Sequence, residues 1–266
     1  VGRNYAGEYP IMKKYFALTG GATGIGAALQ HKLRTRGDEV VVVDIRDADI
    51  IADLSTTAGR NTAIEALRQR APQGLDGFIP CAGLGPSVKP CERIARVNYF
   101  GVVALVQGVK PLLAKRRGTV VVISSNSASL PGQHKDYVKA LLEENEDKAC
   151  GIIASENGQA AYGGAKYALA VWMRKNAPGY MKEGIRMNAV APGITQTAMT
   201  DQVFADATWG DAIRKFNEIT PCGSMASPDM IADAILFLLD PASVFVCGAV
   251  LFVDGGTDAL LRPEIF

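Results

Sequence analysis

Tyr162 and Lys166 stand four positions apart, so a helix through them would set both on one face. A free phenol near pKa 10 is a poor base at neutral pH, and a neighbouring ammonium favours its ionised form. Such a pair suits proton exchange with the oxygen of a ketone or secondary alcohol while hydride reaches or leaves the carbon. The spacing alone is weak, because Tyr9 and Lys13 share it, but those two straddle Pro10 ahead of the first hydrophobic run. Ser125, at the C-terminal end of the valine-rich run 119–124, can hydrogen-bond the substrate oxygen. Asn98, in the helical stretch before it, can hold a water that links the lysine to solvent. Taken singly, Ser125 would read as a strand-end turn and Asn98 as a helix cap.

A second group of residues suits a dinucleotide. Thr19-Gly20-Gly21-Ala22-Thr23-Gly24-Ile25-Gly26 lies between an apolar run and a helical pattern. Glycines there let backbone N–H groups approach a pyrophosphate at the positive end of a helix dipole. Gly20, Thr23, Gly24, Ile25 and Gly26 are therefore candidate cofactor contacts. Asp44 ends the next apolar run, where a carboxylate can accept hydrogen bonds from ribose hydroxyls and repel a 2′-phosphate. This favours NAD over NADP, with Arg46 as the one nearby cation that could turn toward a phosphate. Asp53-Leu54 falls at a spacing suited to an adenine edge, the alternative being a helix cap near Ser55. Cys81-Ala82-Gly83 closes the next strand, where small residues let an adenosine lie against the sheet edge.

These residues need a scaffold that alternates strand and helix. Strands are predicted at 15–19, 39–44, 77–81, 119–124, 186–191 and 249–253, the valine runs marking strands covered on both faces. Helices are predicted at 25–36, 57–70, around 98–114, 160–176 and 229–239. The alternation specifies an α/β fold: a single Rossmann-type, doubly wound parallel sheet with helices on both faces. Residues 12–266 form one domain. Residues 1–11 lack periodicity and read as a tag or a non-core extension. Segment 130–157 is polar, acid-rich and helical in its middle, and reads as a surface excursion. Segment 195–221 carries Met199, Phe204, Trp209 and Phe216 without a clean period, as a lid over an apolar ligand or as core packing.

Composition narrows the class. Twenty-eight Lys and Arg against 27 Asp and Glu leave a formal charge of +1, which argues against nucleic-acid or acidic-lipid partners. Lys115-Arg116-Arg117 reads as a solvated helix end. No apolar run approaches the roughly 20 residues of a membrane span, and no signal-like stretch stands out. Five scattered cysteines without a C-x-x-C pair, and two isolated histidines, argue against zinc and for reduced thiols. The expectation is a cytoplasmic, metal-free enzyme without a membrane partner.

Together, Thr19–Gly26, Asp53-Leu54, Cys81-Ala82-Gly83, Asn98, Ser124-Ser125, Tyr162-x-x-x-Lys166, Pro192-Gly193 and Asp254-Gly255-Gly256 resemble the short-chain dehydrogenase/reductase family in order and context. The resemblance implies an Asn98–Ser125–Tyr162–Lys166 tetrad, with Tyr162 as acid/base and Lys166 also holding the nicotinamide ribose. It implies that the Thr195 backbone and Thr197 meet the carboxamide. Most members carry Asn where Cys81 stands, a departure in a structural turn. About a dozen residues usually separate the serine from the tyrosine. Here the interval is 37, so segment 130–157 reads as a helical insert before the tyrosine. That insert, with Ile45–Ala48, Ile51–Thr56, Val97–Gly101 and Arg262-Pro263, is similar to the branch that interconverts 3-oxo and 3α-hydroxy steroids with NAD(H) and reduces smaller ketones. In that branch the insert obstructs the usual tetramer and a homodimer forms. The alternatives are a hydrophobic terpenoid or aryl substrate, or a dinucleotide-binding protein without catalysis.

Overall fold

The computed structural model describes residues 13–265, so the expected extension at 1–11 lies outside the described residues. Among them the strands are β1 (Tyr15–Thr19), β2 (Glu39–Asp44), β3 (Ile50–Ile51), β4 (Gly77–Pro80), β5 (Thr119–Ile123), β6 (Arg186–Pro192) and β7 (Val250–Val253). They form one parallel sheet in the order β3-β2-β1-β4-β5-β6-β7. The chain winds outward from β1 in both directions, so the order reverses between β1 and β4. Ligand clefts in open α/β sheets lie at that reversal, beyond the carboxyl ends of the strands. Two-sided burial follows from period-two alternation. In β5, Val120 and Val122 enter the cluster on one face, and Val121 and Ile123 the cluster on the other.

The helices are α1 (Gly24–Thr35), α2 (Thr57–Arg70), α3 (Glu92–Ala95), α4 (Val102–Arg116), α5 (Lys135–Leu142), α6 (Glu146–Ile153), α7 (Gly158–Lys182), α8 (Ala198–Phe204), α9 (Gly210–Glu218), α10 (Pro228–Leu239) and α11 (Thr257–Leu261). α1 and α10 pack on one face, while α2, α4 and α7 cover the other. α3 runs into α4 through a π-turn, Arg96–Gly101. The predicted strands and helices are found within a few residues, except that α7 runs on past Asn176 to Lys182.

Four expectations are corrected. An 18-residue stretch within Glu92–Arg116 reaches a mean hydropathy of 1.3, enough by length and composition to cross a membrane, contrary to the sequence reading. Its apolar length is explained by burial: Val102, Val103, Leu105, Val106 and Val109 sit against the sheet. Lys115 and Arg116 are anchored, not merely solvated. The Lys115 ammonium donates to the Pro72 carbonyl at 2.8 Å, and Arg116 pairs with Asp76 at 2.9 Å. Segment 130–157 is not a surface excursion. Tyr137, Ala140, Leu141, Ala149 and Ile153 are fully buried in the main core, because α5 and α6 are amphipathic over their short lengths. The Tyr137 ring lies where a Cβ at Gly164 would fall, 2.7 Å away, and its hydroxyl donates to the Ala161 carbonyl at 3.2 Å. Segment 195–221 is periodic only in its second half. Trp209, Ile213 and Phe216 fall on one side of α9 at helical spacing and line the cleft.

Candidate active site

The carboxyl ends of β1, β4, β5 and β6 surround a cleft of about 680 Å³. Gly20 follows β1 and donates its N–H to the Val43 carbonyl at 2.9 Å. Its φ is +70°, and a Cβ there would lie 2.6 Å from the Ala82 backbone. Gly26 is as constrained, since a Cβ would fall 2.1 Å from the Gly20 carbonyl oxygen. Thr23 precedes α1 with no side-chain cap, so the N–H groups of the first turn face the cleft without a local acceptor. Bare backbone and an uncapped helix start fit the diphosphate of a dinucleotide, which needs close approach and N–H donors.

Asp44 supports this turn. One carboxylate oxygen accepts from the Ala22 N–H at 3.0 Å and the other from the Ile45 N–H at 2.7 Å. A carboxylate offers about four acceptor positions, so two remain for ribose hydroxyls. Asp53 accepts from the Ser55 N–H at 2.9 Å, and hydrogen bonds from Ser55 hold its carboxyl below the usual range. The cap of α2 is Thr56, which accepts from the Gly59 N–H, so Asp53 shapes the preceding turn. Its side chain stays exposed, and Asp53 and Leu54 line the cleft with Cys81, Ala82 and Gly83. The Thr19 hydroxyl accepts from the Ala82 N–H at 3.0 Å and ties this wall to β1. Burial pushes the Cys81 thiol up to about 12, which keeps it an inert, uncharged wall.

Tyr162, Lys166, Ser125 and Asn98 come together at the other end. Tyr162 and Lys166 occupy one side of α7, the ammonium 5.7 Å from the ring centroid. The ammonium donates to the Ile123 carbonyl at 2.7 Å, and the Ser124 hydroxyl donates to the Lys166 carbonyl at 3.0 Å. Burial draws the Lys166 pKa down to about 8. Burial raises the Tyr162 phenol above its ordinary value, with the Ser125 hydroxyl pulling the other way. The reason is geometric. Lys166 spends its short contact on backbone, while the phenol sits where desolvation penalises the anion.

Asn98 is fully buried in the π-turn. Its amide nitrogen donates to the Leu84 carbonyl at 2.9 Å, and its carbonyl oxygen accepts from the Leu84 N–H at 2.7 Å. This two-point clasp fixes the loop after β4. Ser125 accepts from the Ser127 hydroxyl at 3.0 Å and from the Ser127 N–H at 3.2 Å.

Pro192 ends β6, and a Cβ on Gly193 would lie 2.7 Å from Asp254, so the two turn motifs pack together. Thr195 is buried and Thr197 caps α8 by accepting from the Thr200 N–H. Both line the cleft, and the Thr197 methyl lies 3.3 Å from a Cβ built on Gly24. The sequence reading missed Ser127, whose only signal was its place two residues beyond Ser125. It also missed Gln159 and Ile213 in the cleft wall. Gln159 stands one turn before Tyr162 on α7, a spacing that could have singled it out. Among the described residues no cluster of His, Cys, Asp and Glu has metal-ligand geometry.

Residues 14–137 match the family described as short chain dehydrogenase, and residues 149–258 the one described as Enoyl-(Acyl carrier protein) reductase. The 3-alpha-hydroxysteroid dehydrogenase/carbonyl reductase of Comamonas testosteroni is 40% identical, over 94% of this chain and 98% of its own. The cis-4-hydroxycyclohexanecarboxylate dehydrogenase of Sinomonas cyclohexanicum is 31% identical, over 91% and 96%. The 3-alpha-hydroxysteroid dehydrogenase from Pseudomonas sp. B-0831, solved with NADH, superposes with a TM-score of 0.92. It is 39% identical and covers 95% of this chain and 100% of its own.

Proposed function

The chain belongs to the short-chain dehydrogenase/reductase family, and from that premise we propose that it interconverts ketones and secondary alcohols with NAD(H), its substrates being 3-oxo and 3α-hydroxy steroids and smaller carbonyl compounds. The observation that carries the reading is the convergence of Ser125, Tyr162 and Lys166 in a cleft whose other end is the bare backbone of Gly20–Gly26. When bound, the dinucleotide supplies or accepts the hydride. Gly20, Thr23, Gly24, Ile25 and Gly26 would hold its diphosphate, and Asp44 its adenosine ribose. Asp53, Leu54, Cys81, Ala82 and Gly83 would wall the adenosine, and Thr195 and Thr197 would meet the carboxamide.

Tyr162 donates its phenolic proton to the ketone oxygen in reduction and takes it back in oxidation. Ser125 donates a hydrogen bond to the same oxygen. A positive charge beside the phenol stabilises its anion, and Lys166 with the oxidised nicotinamide would provide it, offsetting the rise that burial causes. Lys166 would also hold the nicotinamide ribose, and Asn98 keeps the loop at Leu84 in place. Met199, Val203, Trp209, Ile213 and Phe216 form an apolar lid suited to a steroid. Phe237 on α10 and Val244 and Phe245 just after it are exposed and support a homodimer through the β7 side of the sheet. We place this dimer in the cytoplasm, where the free thiols at Cys81, Cys91, Cys150, Cys222 and Cys247 would stay reduced.

NADH oxidation with 3-ketosteroids, monocyclic ketones and aryl ketones tests the proposal. The highest kcat/KM is expected with a 3-ketosteroid. Turnover of aryl or terpenoid ketones without steroid turnover would assign the site to another hydrophobic alcohol.

A further inference from the structure

Arg60 lies in α2 with 5% of its surface exposed, and its guanidinium joins three separate parts of the chain. Nε donates to the Leu54 carbonyl at 2.8 Å. One terminal nitrogen donates to the Arg96 carbonyl at 3.0 Å and reaches the Ser55 carbonyl at 3.5 Å. The fork closes on Glu146, with contacts of 2.6 and 3.2 Å to its two carboxylate oxygens. Leu54 and Val97 line the cleft, whereas Glu146 opens α6 and lies 86 positions from Arg60 in sequence.

We propose that the Arg60–Glu146 pair is a positioning device through which segment 130–157 sets the adenosine half of the dinucleotide cleft. The inference rests on the proposed reading of that cleft as a dinucleotide site. Arg60 holds the loop at Leu54–Ser55 and the start of the π-turn at Arg96, so it fixes two stretches of cleft wall relative to each other. A guanidinium does not shed its proton when buried. Its position among backbone carbonyls therefore depends on a carboxylate to balance it, and Glu146 makes that contact bidentately. Neither side chain lines the cleft, so both act through the backbone they hold. Arg96, whose side chain lies 3.8 Å from Glu146, is half-exposed and cannot replace Arg60 at Leu54.

The test uses the full chain with Glu146→Gln, an isosteric change at a partly exposed position, and with Glu146→Asp to restore the charge. NADH affinity is read from its fluorescence, AMP from competitive inhibition, and kcat at saturating NADH. For Glu146→Gln the expected result is about tenfold weaker binding of both NADH and AMP, a size typical of coupling between sites, with kcat within twofold. Glu146→Asp is expected to recover part of the loss. Unchanged NADH and AMP binding in Glu146→Gln, or a lower melting temperature with no selective loss of AMP, would overturn the coupling. Wild-type protein that bound neither NADH nor AMP would instead overturn the dinucleotide reading on which it rests.

Discussion

Ser127 donates twice to the hydroxyl oxygen of Ser125, from its own hydroxyl at 3.0 Å and its amide at 3.2 Å. A serine oxygen has two acceptor positions, so both are filled and the Ser125 hydrogen is left to donate into the cleft. Ser127 thus fixes the polarity of the group proposed to hold the substrate oxygen. Replacing it removes one hydrogen bond, worth about 1 kcal/mol or roughly a fivefold change. Ser127→Ala is expected to lower kcat about fivefold with NADH affinity unchanged, and Ser127→Thr to restore it. Steady-state kinetics and NADH titration of the two variants check this.

Asp44 both holds the Ala22 turn and faces the cleft with two acceptor positions left. Asp44→Ala should cost NAD about two orders of magnitude in kcat/KM and raise the NADP-to-NAD preference by at least about tenfold, since the repelling carboxylate is gone. Kinetics with both cofactors measure the ratio. Retained NAD preference in the variant would show that discrimination resides elsewhere, with Arg46 then of no consequence.

Trp209, just before α9, and Phe216 within it line the cleft. Burying an aromatic side chain against an apolar ligand contributes about 1.5–3 kcal/mol. Phe216→Ala is therefore expected to raise KM for a 3-ketosteroid at least about tenfold, and for a monocyclic ketone by under about threefold. Equal effects on the two substrates would make α9 ordinary packing and not a lid.

Lys166 titrates at about 8 in the native protein because burial disfavours its charge, against 10.5 for an ordinary lysine. Between those values the unfolded chain binds more protons, so stability rises with pH across that window. Below about pH 8 both forms are charged and the buried ammonium carries its full cost. Cys81 acts in the opposite sense above pH 9, its thiol pushed up to about 12, so wild type alone would blur the effect. Thermal midpoints of wild type and Lys166→Met from pH 7 to 10 isolate it. Wild type should gain on the variant as pH rises; a constant gap would place the ammonium in water.

Much of this was legible in the residue order. Valine runs such as Glu39–Asp44 and Thr119–Ile123 give strands wherever both faces are covered, and the glycine turn and Tyr162-x-x-x-Lys166 are local patterns. What was not legible depends on contacts distant in sequence. Tyr137 is buried only because Gly164 leaves room for it, and Asn98 turns inward because Leu84 passes beside it. The two-residue strand β3 carries no period and exists through its pairing with β2. The Tyr162 pKa follows from burial that spacing does not disclose.

The central claim is that Tyr162 exchanges the proton while the dinucleotide handles hydride, and Tyr162→Phe measures it most directly, by kcat for 3-ketosteroid reduction beside NADH affinity. Loss of a positioned acid/base is expected to lower kcat by about 10²–10⁴ with NADH affinity within about threefold of wild type. Turnover close to wild type in that variant would contradict the claim.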